Sequence, residues 1–192
     1  MSNSDVTAVL KDGTHCEIRL CCDDNGGAHD AESVKSGIRS AWCHLSPESR
    51  YSRFASGIRQ LSDKQLDYLA DLDNMHRLAW CAFIHGDSEA AGIGIARFVR
   101  LKEEPDVAEF AITVIDEYQG CGLGTLLLKR LIDSARRLKL RVLRGYVLPS
   151  NRPMIALARK FGGISRSEDT WQRIDIPVDS EGDMDSEDSI RT

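Results

Sequence analysis

Residues 109–125 read Glu-Phe-Ala-Ile-Thr-Val-Ile-Asp-Glu-Tyr-Gln-Gly-Cys-Gly-Leu-Gly-Thr, and an apolar-striped segment continues from there to residue 139. The order is that of a strand, a glycine loop and a helix. Gly120, Gly122 and Gly124 at a helix entrance let the backbone take positive φ and bring several N–H groups close to a ligand. The unbonded amides of a first helical turn and the positive end of the helix dipole favour an anion there, a phosphate or a pyrophosphate. Two common phosphate loops fit poorly. A dinucleotide fingerprint needs its third glycine one place later and a carboxylate about 20 positions on, and the strand expected over 141–148 offers none. A Walker A loop needs a lysine before its Ser or Thr, whereas Gly124 precedes Thr125. The plainer alternative is a glycine turn that only packs a helix on a sheet.

Composition narrows the rest. A chain of 192 residues with 42% apolar content suits one domain with a substantial core. That domain is expected over residues 1–177, followed by an acidic, serine-rich tail, 178–192, that has little to bury. A net charge of −5 speaks against nucleic acid or an acidic membrane as partner. No apolar run has the length of a membrane span and the first residues lack the parts of a secretory signal, so a cytoplasmic location is expected. For a chain without an export signal the six cysteines are expected as free thiols. Their spacing contains no C-x-x-C pair, which argues against a metal site. Cys121, at the helix entrance, is placed where a thiolate would be favoured.

Taken in order, residues 6–10 and 15–20 bracket the turn pair Asp12-Gly13 and predict an edge hairpin. Apolar residues at helical spacing predict a helix over 28–42 after a loop at 22–27. Ser46-Pro47-Glu48 has the order of an N-cap, a first-turn proline and an early acid, so another helix starts there. Ser62 and Gln65 form a capping box for a short helix over 63–71, with Leu61 and Leu66 as the staple. Runs at 78–84 and 91–100 predict a hairpin around 85–89, and 107–115 the strand that enters the glycine loop. A strand over 141–148, a helix up to Phe161 stopped by Gly162-Gly163, and a last strand containing Trp171, Ile174 and Ile176 complete the chain.

Alternation along 109–114 sets Phe110, Ile112 and Val114 on one side and Glu109, Ala111 and Thr113 on the other. Glu109 is thereby a carboxylate within an apolar strand, and partial desolvation there would suit it to act as a general base. The competing reading is a strand-end acid that reaches water or an arginine. His76 is expected to be a packed or hydrogen-bonded structural residue. Arg50, Arg53 and Arg59 could orient an acidic partner, but read more simply as a solvated helix face.

Gln119-Gly120-Cys121-Gly122-Leu123-Gly124 resembles motif A of the GNAT acyltransferase superfamily. The resemblance implies an α/β (α+β) fold, a mixed, mostly antiparallel central sheet flanked by helices on both faces. It implies acetyl-CoA as cosubstrate and no metal. Gln119, Gly120, Cys121, Gly122, Leu123, Gly124 and Thr125 would hold the pyrophosphate. Ile112, Thr113, Val114 and Asn151 would hold the pantetheine arm, with a Val114 N–H as oxyanion donor. Where many relatives carry a tyrosine as general acid this chain has Ala158, which leaves Tyr146, Tyr118, water or the outgoing ammonium proton, and Gly162-Gly163 stands where Gly-Phe is usual.

The segment from Leu45 to Phe54, with Leu61-Ser62, Asp73 and His76, resembles the acetyltransferase domain of bacterial Pat-type protein-lysine acetyltransferases. In that group the Glu of an Ala-Glu-Phe-Ala setting is the proposed base, which matches Glu109. The implied acceptor is a protein lysine, with acyl-CoA synthetases among the candidate partners. A small amine or amino acid is the alternative acceptor, and a catalytically silent coenzyme A-binding module the alternative role. The regulatory domain often fused in such relatives is not expected within these 192 residues.

Overall fold

A computed structural model of the chain describes residues 5–21, 31–54, 58–86 and 92–178. Two short strands, β1 (Val6–Val9) and β2 (His15–Leu20), form the expected edge hairpin, closed by Gly13 at φ 88° with the Asp12 carboxylate accepting from the Thr14 amide. Three helices follow, α1 (Ala31–Cys43), α2 (Pro47–Phe54) and α3 (Asp63–Ala70). Both halves of the capping box form: the Ser62 hydroxyl accepts from the Gln65 amide and the Gln65 side chain from the Ser62 amide. Strands β3 (Arg77–Ile84), β4 (Gly94–Arg100) and β5 (Val107–Val114) lead to helix α4 (Leu123–Arg137). Strand β6 (Val142–Val147), helix α5 (Arg152–Lys160) and strands β7 (Ile164–Glu168) and β8 (Trp171–Pro177) end the described chain.

The described strands form one sheet in the order β1-β2-β3-β4-β5-β6-β8-β7, antiparallel throughout except for the β5/β6 pair. Helix α4 packs on one face, where Gly94 and Ala96 leave room for Leu123 and Leu127, and the Trp80 indole donates to the buried Ser134 hydroxyl at 2.9 Å. Residues Ile95 and Arg97 face the other way, toward α1 and α3, and Arg97 stacks on the Tyr68 ring of α3.

The feature that positions the site is where β5 and β6 part. Strand β5 stays registered to β4 as far as Val114, but its pairing with β6 stops at Glu109↔Arg144. The next residues explain the divergence. The Phe110 ring lies against Gly145, so close that a Cβ there would stand 2.8 Å from the ring. Arg144 is held by the Glu104 carboxylate at 2.6 Å and that of Asp175 at 3.0 Å, which keeps β6 with its partner β8.

Three expectations need correction. Strand β7 is missing from the sequence reading because Ile-Ser-Arg-Ser-Glu carries a single apolar residue; it forms by pairing with β8 across a tight turn with Asp169 at φ 50°. Val178 is fully buried and donates to the Arg141 carbonyl, so the fold reaches one residue further than expected, while the tail from 179 lies outside the described residues. Cys21 and Cys81 are not free thiols but a disulfide. They lie diagonally across β2 and β3 with Cα atoms 5.9 Å apart, inside the range a disulfide spans, and the 60-residue separation hides this proximity from sequence spacing. Helix α1 is described only from Ala31, and the loop at 22–27 and residues 87–91 of the expected hairpin lie outside the described residues. No helix among the described residues is long and apolar enough to cross a membrane.

The Phe110–Gly145 contact leads to a measurable expectation. Gly145→Ala should cost about 1–3 kcal/mol in urea denaturation, the usual range for overpacking, and Phe110→Leu in the same chain should recover part of it.

Candidate active site

Beyond β5 the chain makes one 3₁₀ turn, Asp116–Tyr118, and then the glycine loop. Gly120 at φ 79° and Gly122 at φ 94° are both left-handed, a conformation that glycine adopts without a Cβ penalty, and Gly122 is the N-cap of α4. The amides of residues 120–124 donate to no acceptor among the described residues, whereas Thr125 and Leu126 already bond the Gly122 carbonyl. This is a concave row of free N–H groups at a helix N-terminus, the arrangement that binds phosphate oxygens. The tip of the β1–β2 hairpin supports it: the Lys11 amide donates to the Cys121 carbonyl, and the Lys11 side chain lies beside Gly122.

The loop is fastened to α2 through one carboxylate. Asp116 accepts from the Ser46 amide at 3.1 Å and the Ser49 hydroxyl at 2.6 Å. The Gln119 side-chain Nε2 donates at 3.1 Å to the Val114 carbonyl, to the Asp116 carboxylate and to the Ser49 hydroxyl. Burial pushes the Asp116 carboxyl upward, but the donors Ser46 and Ser49 outweigh it and hold the group below its ordinary value.

Alternation of the antiparallel ladder decides which β5 amides face the gap. The bonds from Leu101 to Val107 and from Ile115 to Ile93 fix the odd-numbered β5 residues as those paired with β4. The even-numbered residues therefore turn their N–H groups toward β6. Since β6 has departed after Glu109, Ile112 and Val114 present theirs to an open cleft. That cleft, about 640 Å³, runs from Glu109 past the glycine loop to Tyr146 and Asn151. A second cavity of about 430 Å³ lies on the α1 and α3 side of the sheet and shares Arg53, Ala111 and Thr113 with the first.

A strand that loses its parallel neighbour, running into a row of free amides at a helix entrance, is matched by the model of the acetyltransferase (GNAT) family over residues 41–163. The chain belongs to this family. It is an N-acetyltransferase by that membership. It is 34% identical to Acetyltransferase PA5475 of Pseudomonas aeruginosa over 83% of this chain and 80% of that protein. To Acetyltransferase Pat of Mycolicibacterium smegmatis it is 33% identical over 69% of this chain, a match that spans 40% of the relative's length. The crystal structure of the GNAT domain of S. lividans PAT superposes with a TM-score of 0.76 at 28% identity, covering 90% of this chain and 96% of that one.

Within this GNAT fold the predicted site residues separate. Glu109, Ile112, Thr113, Val114, Gln119, Gly120, Gly122, Gly124, Thr125 and Asn151 line the cleft. Leu123 is fully buried and turns its side chain into the core, so only its amide faces the site. Cys121 also lies off the lining. Desolvation and then the neighbouring Asp12 push its thiol upward, against the thiolate expected at a helix entrance. Glu109 is exposed, so the apolar burial expected of it does not hold in the free chain. The Asn151 carbonyl oxygen is engaged, capping α5 through the Met154 amide at 3.2 Å. Ala158 is fully buried, and the tyrosines that do line the cleft are Tyr118 and Tyr146.

Sequence reasoning missed Lys11 and Lys160, which line the same cleft, because lysines distant in sequence carry no spacing signal. Arg50 is not on a solvated face: it donates to the Trp42 carbonyl at 2.9 Å and stacks on that indole. Arg53 lines both cavities, and Arg59 alone of the three is exposed. Of the two expectations for His76 the hydrogen-bonded one holds: the residue is exposed, its amide donates to the Asp73 carboxylate at 2.7 Å, and its Nδ1 lies 3.1 Å from the same group.

The Asp116 clasp yields a pH signature. Asp116→Asn should lower stability at pH 7 by about 1 kcal/mol, the worth of hydrogen bonds to a charged acceptor discounted for exposure. A depressed carboxyl contributes above its unfolded value and loses that contribution as pH falls through the folded one. The gap between the two proteins in urea denaturation should therefore persist down to about pH 4 and shrink below it.

Proposed function

We propose that the chain transfers the acetyl group of acetyl-CoA to a lysine ε-amino group of a protein, with Glu109 as general base. The observation that carries this reading is the position of Glu109 at the point where β5 and β6 part, in the same cleft as the row of free amides. The amides of residues 120–124, with Lys11 nearby, would hold the pyrophosphate, and the gap-facing groups of Ile112 and Val114 the pantetheine arm. The acceptor follows from the resemblance of the segment from Leu45 to Phe54 to Pat-type protein-lysine acetyltransferases, with which the likeness to Acetyltransferase Pat and to the S. lividans PAT domain agrees.

The reaction balances on these groups. The lysine ammonium gives a proton to Glu109, directly or through water, since its reference pKa near ~10.4 leaves too little free amine at neutral pH. The nitrogen lone pair attacks the thioester carbon, a C–N bond forms, and the carbonyl oxygen gathers charge facing the Val114 N–H. The C–S bond then breaks, the nitrogen sheds its second proton to water as the amide forms, and coenzyme A leaves as a thiolate that takes a proton. Tyr118, whose hydroxyl is held above its ordinary value first by desolvation and then by the charge of Glu117, keeps its proton at neutral pH and is a donor from within the cleft.

A small amine or amino acid as acceptor is the second reading, favoured by the largely apolar cavity across β5. Incubation with acetyl-CoA and a panel of proteins, acyl-CoA synthetases included, followed by mass spectrometry, separates the two. Acetylated lysines support the first; coenzyme A released only with metabolites supports the second. Glu109→Gln should leave acetyl-CoA binding intact and reduce turnover at least about 100-fold, the scale of a lost general base. Turnover unchanged in that variant would remove Glu109 from the mechanism.

A further inference from the structure

The cavity across β5 has a wall chemistry the acetyl-transfer reading does not use. Arg19, Arg53 and Arg97 line it, and no aspartate or glutamate does so among the described residues. Its remaining surface is largely apolar, with Trp42 and Phe54 at one end, and carries serine hydroxyls from α1. Guanidinium groups in such surroundings are costly unless an anion meets them.

None of the three is paired with one among the described residues, and Glu109 acts on Arg53 and Arg97 only at a distance. Arg97 is 5% exposed, its Nε has no hydrogen-bond partner, and one Nη reaches the Tyr68 carbonyl only at 3.5 Å. The Tyr68 ring supports its guanidinium at 5.1 Å and supports Arg77 at the same distance, while Asp71 pairs with Arg77 instead. Arg53 makes no hydrogen bond or ion pair with the described residues and rests on the Phe54 ring at 4.7 Å. Arg19 stacks on Phe83 at 4.2 Å. Aromatic faces hold all three guanidinium planes in place and leave their N–H edges for another partner.

Proton affinities agree with this geometry. Burial and then the charge of Arg97 pull Arg53 down to about 10. Arg97 is likewise lowered, by burial first, and the nearby Tyr68, Glu109 and Asp71 do not compensate. Both groups remain cationic at neutral pH, so an anion entering between them relieves both burial and mutual repulsion.

We infer that this cavity seats a carboxylate carried by the acceptor close to its reactive amine, bound by Arg53 and Arg97. The inference rests on the N-acetyltransfer reading and adds the acceptor's chemical class. Arg53, Ala111 and Thr113 are common to both cavities, so a carboxylate held there leaves the adjoining amine beside the acetyl end of the carrier. A planar guanidinium fork matches a carboxylate in two bonds, and the apolar walls accept the acceptor's carbon skeleton. The carboxylate could belong to a free amino acid or to an acidic residue next to a lysine in a peptide.

The test separates anion recognition from turnover. The full chain, saturated with coenzyme A so that the carrier cleft is filled, is titrated by calorimetry with 3-phenylpropionate and with the uncharged 3-phenylpropionamide. The acid should bind at least about tenfold more tightly than the amide, the scale of one charged hydrogen-bond pair, and Arg97→Gln and Arg53→Gln should each erase the preference. Equal binding of the two probes, no binding of either, or a preference that survives both substitutions overturns the inference. If Arg97→Gln fails to fold, Arg53→Gln on α2 and the probe pair on the unaltered protein still decide it. Acetylation of lysine peptides carrying a neighbouring Glu or its Gln counterpart, and of amino acids against their amides, then identifies the source. Peptides modified regardless of the neighbour, with the acid probe unbound, sink the carboxylate site and leave the lysine reading standing. Amino acids modified in preference to their amides, with no peptide modified, sink the lysine reading and leave the carboxylate site standing.

Discussion

The separation of β5 from β6 after Glu109 is the constraint on which the rest of the site depends. Two parallel strands that part in mid-sheet give up ladder hydrogen bonds, and the loss must be offset by contacts that hold each strand in its new direction. Strand β5 keeps its full antiparallel ladder with β4, so it stays ordered with one edge free. Strand β6 is held away by its complete pairing with β8 and by Arg144, tied to Glu104 and Asp175. Phe110 against Gly145 is the wedge between them. The free edge that results leads straight to the helix entrance, so unpaired backbone along the strand and unpaired amides in the loop form one continuous lining.

That lining would be of little use if the loop moved independently of the strand. Asp116 and Gln119 prevent this by tying the loop to the α2 N-terminus and to the Val114 carbonyl. The same bonds fix α2, and α2 carries Arg53 to the seam between the two cavities. A single polar cluster therefore sets the distance between the carrier side and the acceptor side of β5. Rigid support of this kind is what positional catalysis requires.

How much of this was legible in the sequence follows from the range of the interactions. Local ones were readable: the Ser62–Gln65 capping box, the Ser46 N-cap, the glycine loop and the alternation of β5 all depend on residues a few positions apart. The three-dimensional neighbours were not. The Cys21–Cys81 bridge, Lys11 beside Gly122 and the pairing of β7 with β8 arise only when strands or loops that no local pattern relates come together. Arg97 is the sharpest case. In sequence it is one polar residue at the centre of Ile-Ala-Arg-Phe-Val, which period-two alternation would place on a solvated face. Helices α1 and α3 cover that face, and the alternation reports only which side of the sheet the residue takes, not what lies over it.

Net charge is equally silent about local chemistry. A total of −5 speaks against nucleic acid or an acidic membrane, but it does not report that Lys11 and Lys160 line one cavity and three arginines the other. The field that a bound group feels is set by the few charges within a Debye length that water does not screen, and a remote acidic surface adds little to it. On the proposed reading this local polarity also orders the chemistry. Two anionic ligands, a pyrophosphate and a carboxylate, are drawn to opposite sides of β5, and Glu109 stands at the seam with the opposite sign. Glu109 is exposed. On that reading, ligands seated on both sides of β5 exclude water from the seam and bring carrier and amine side by side.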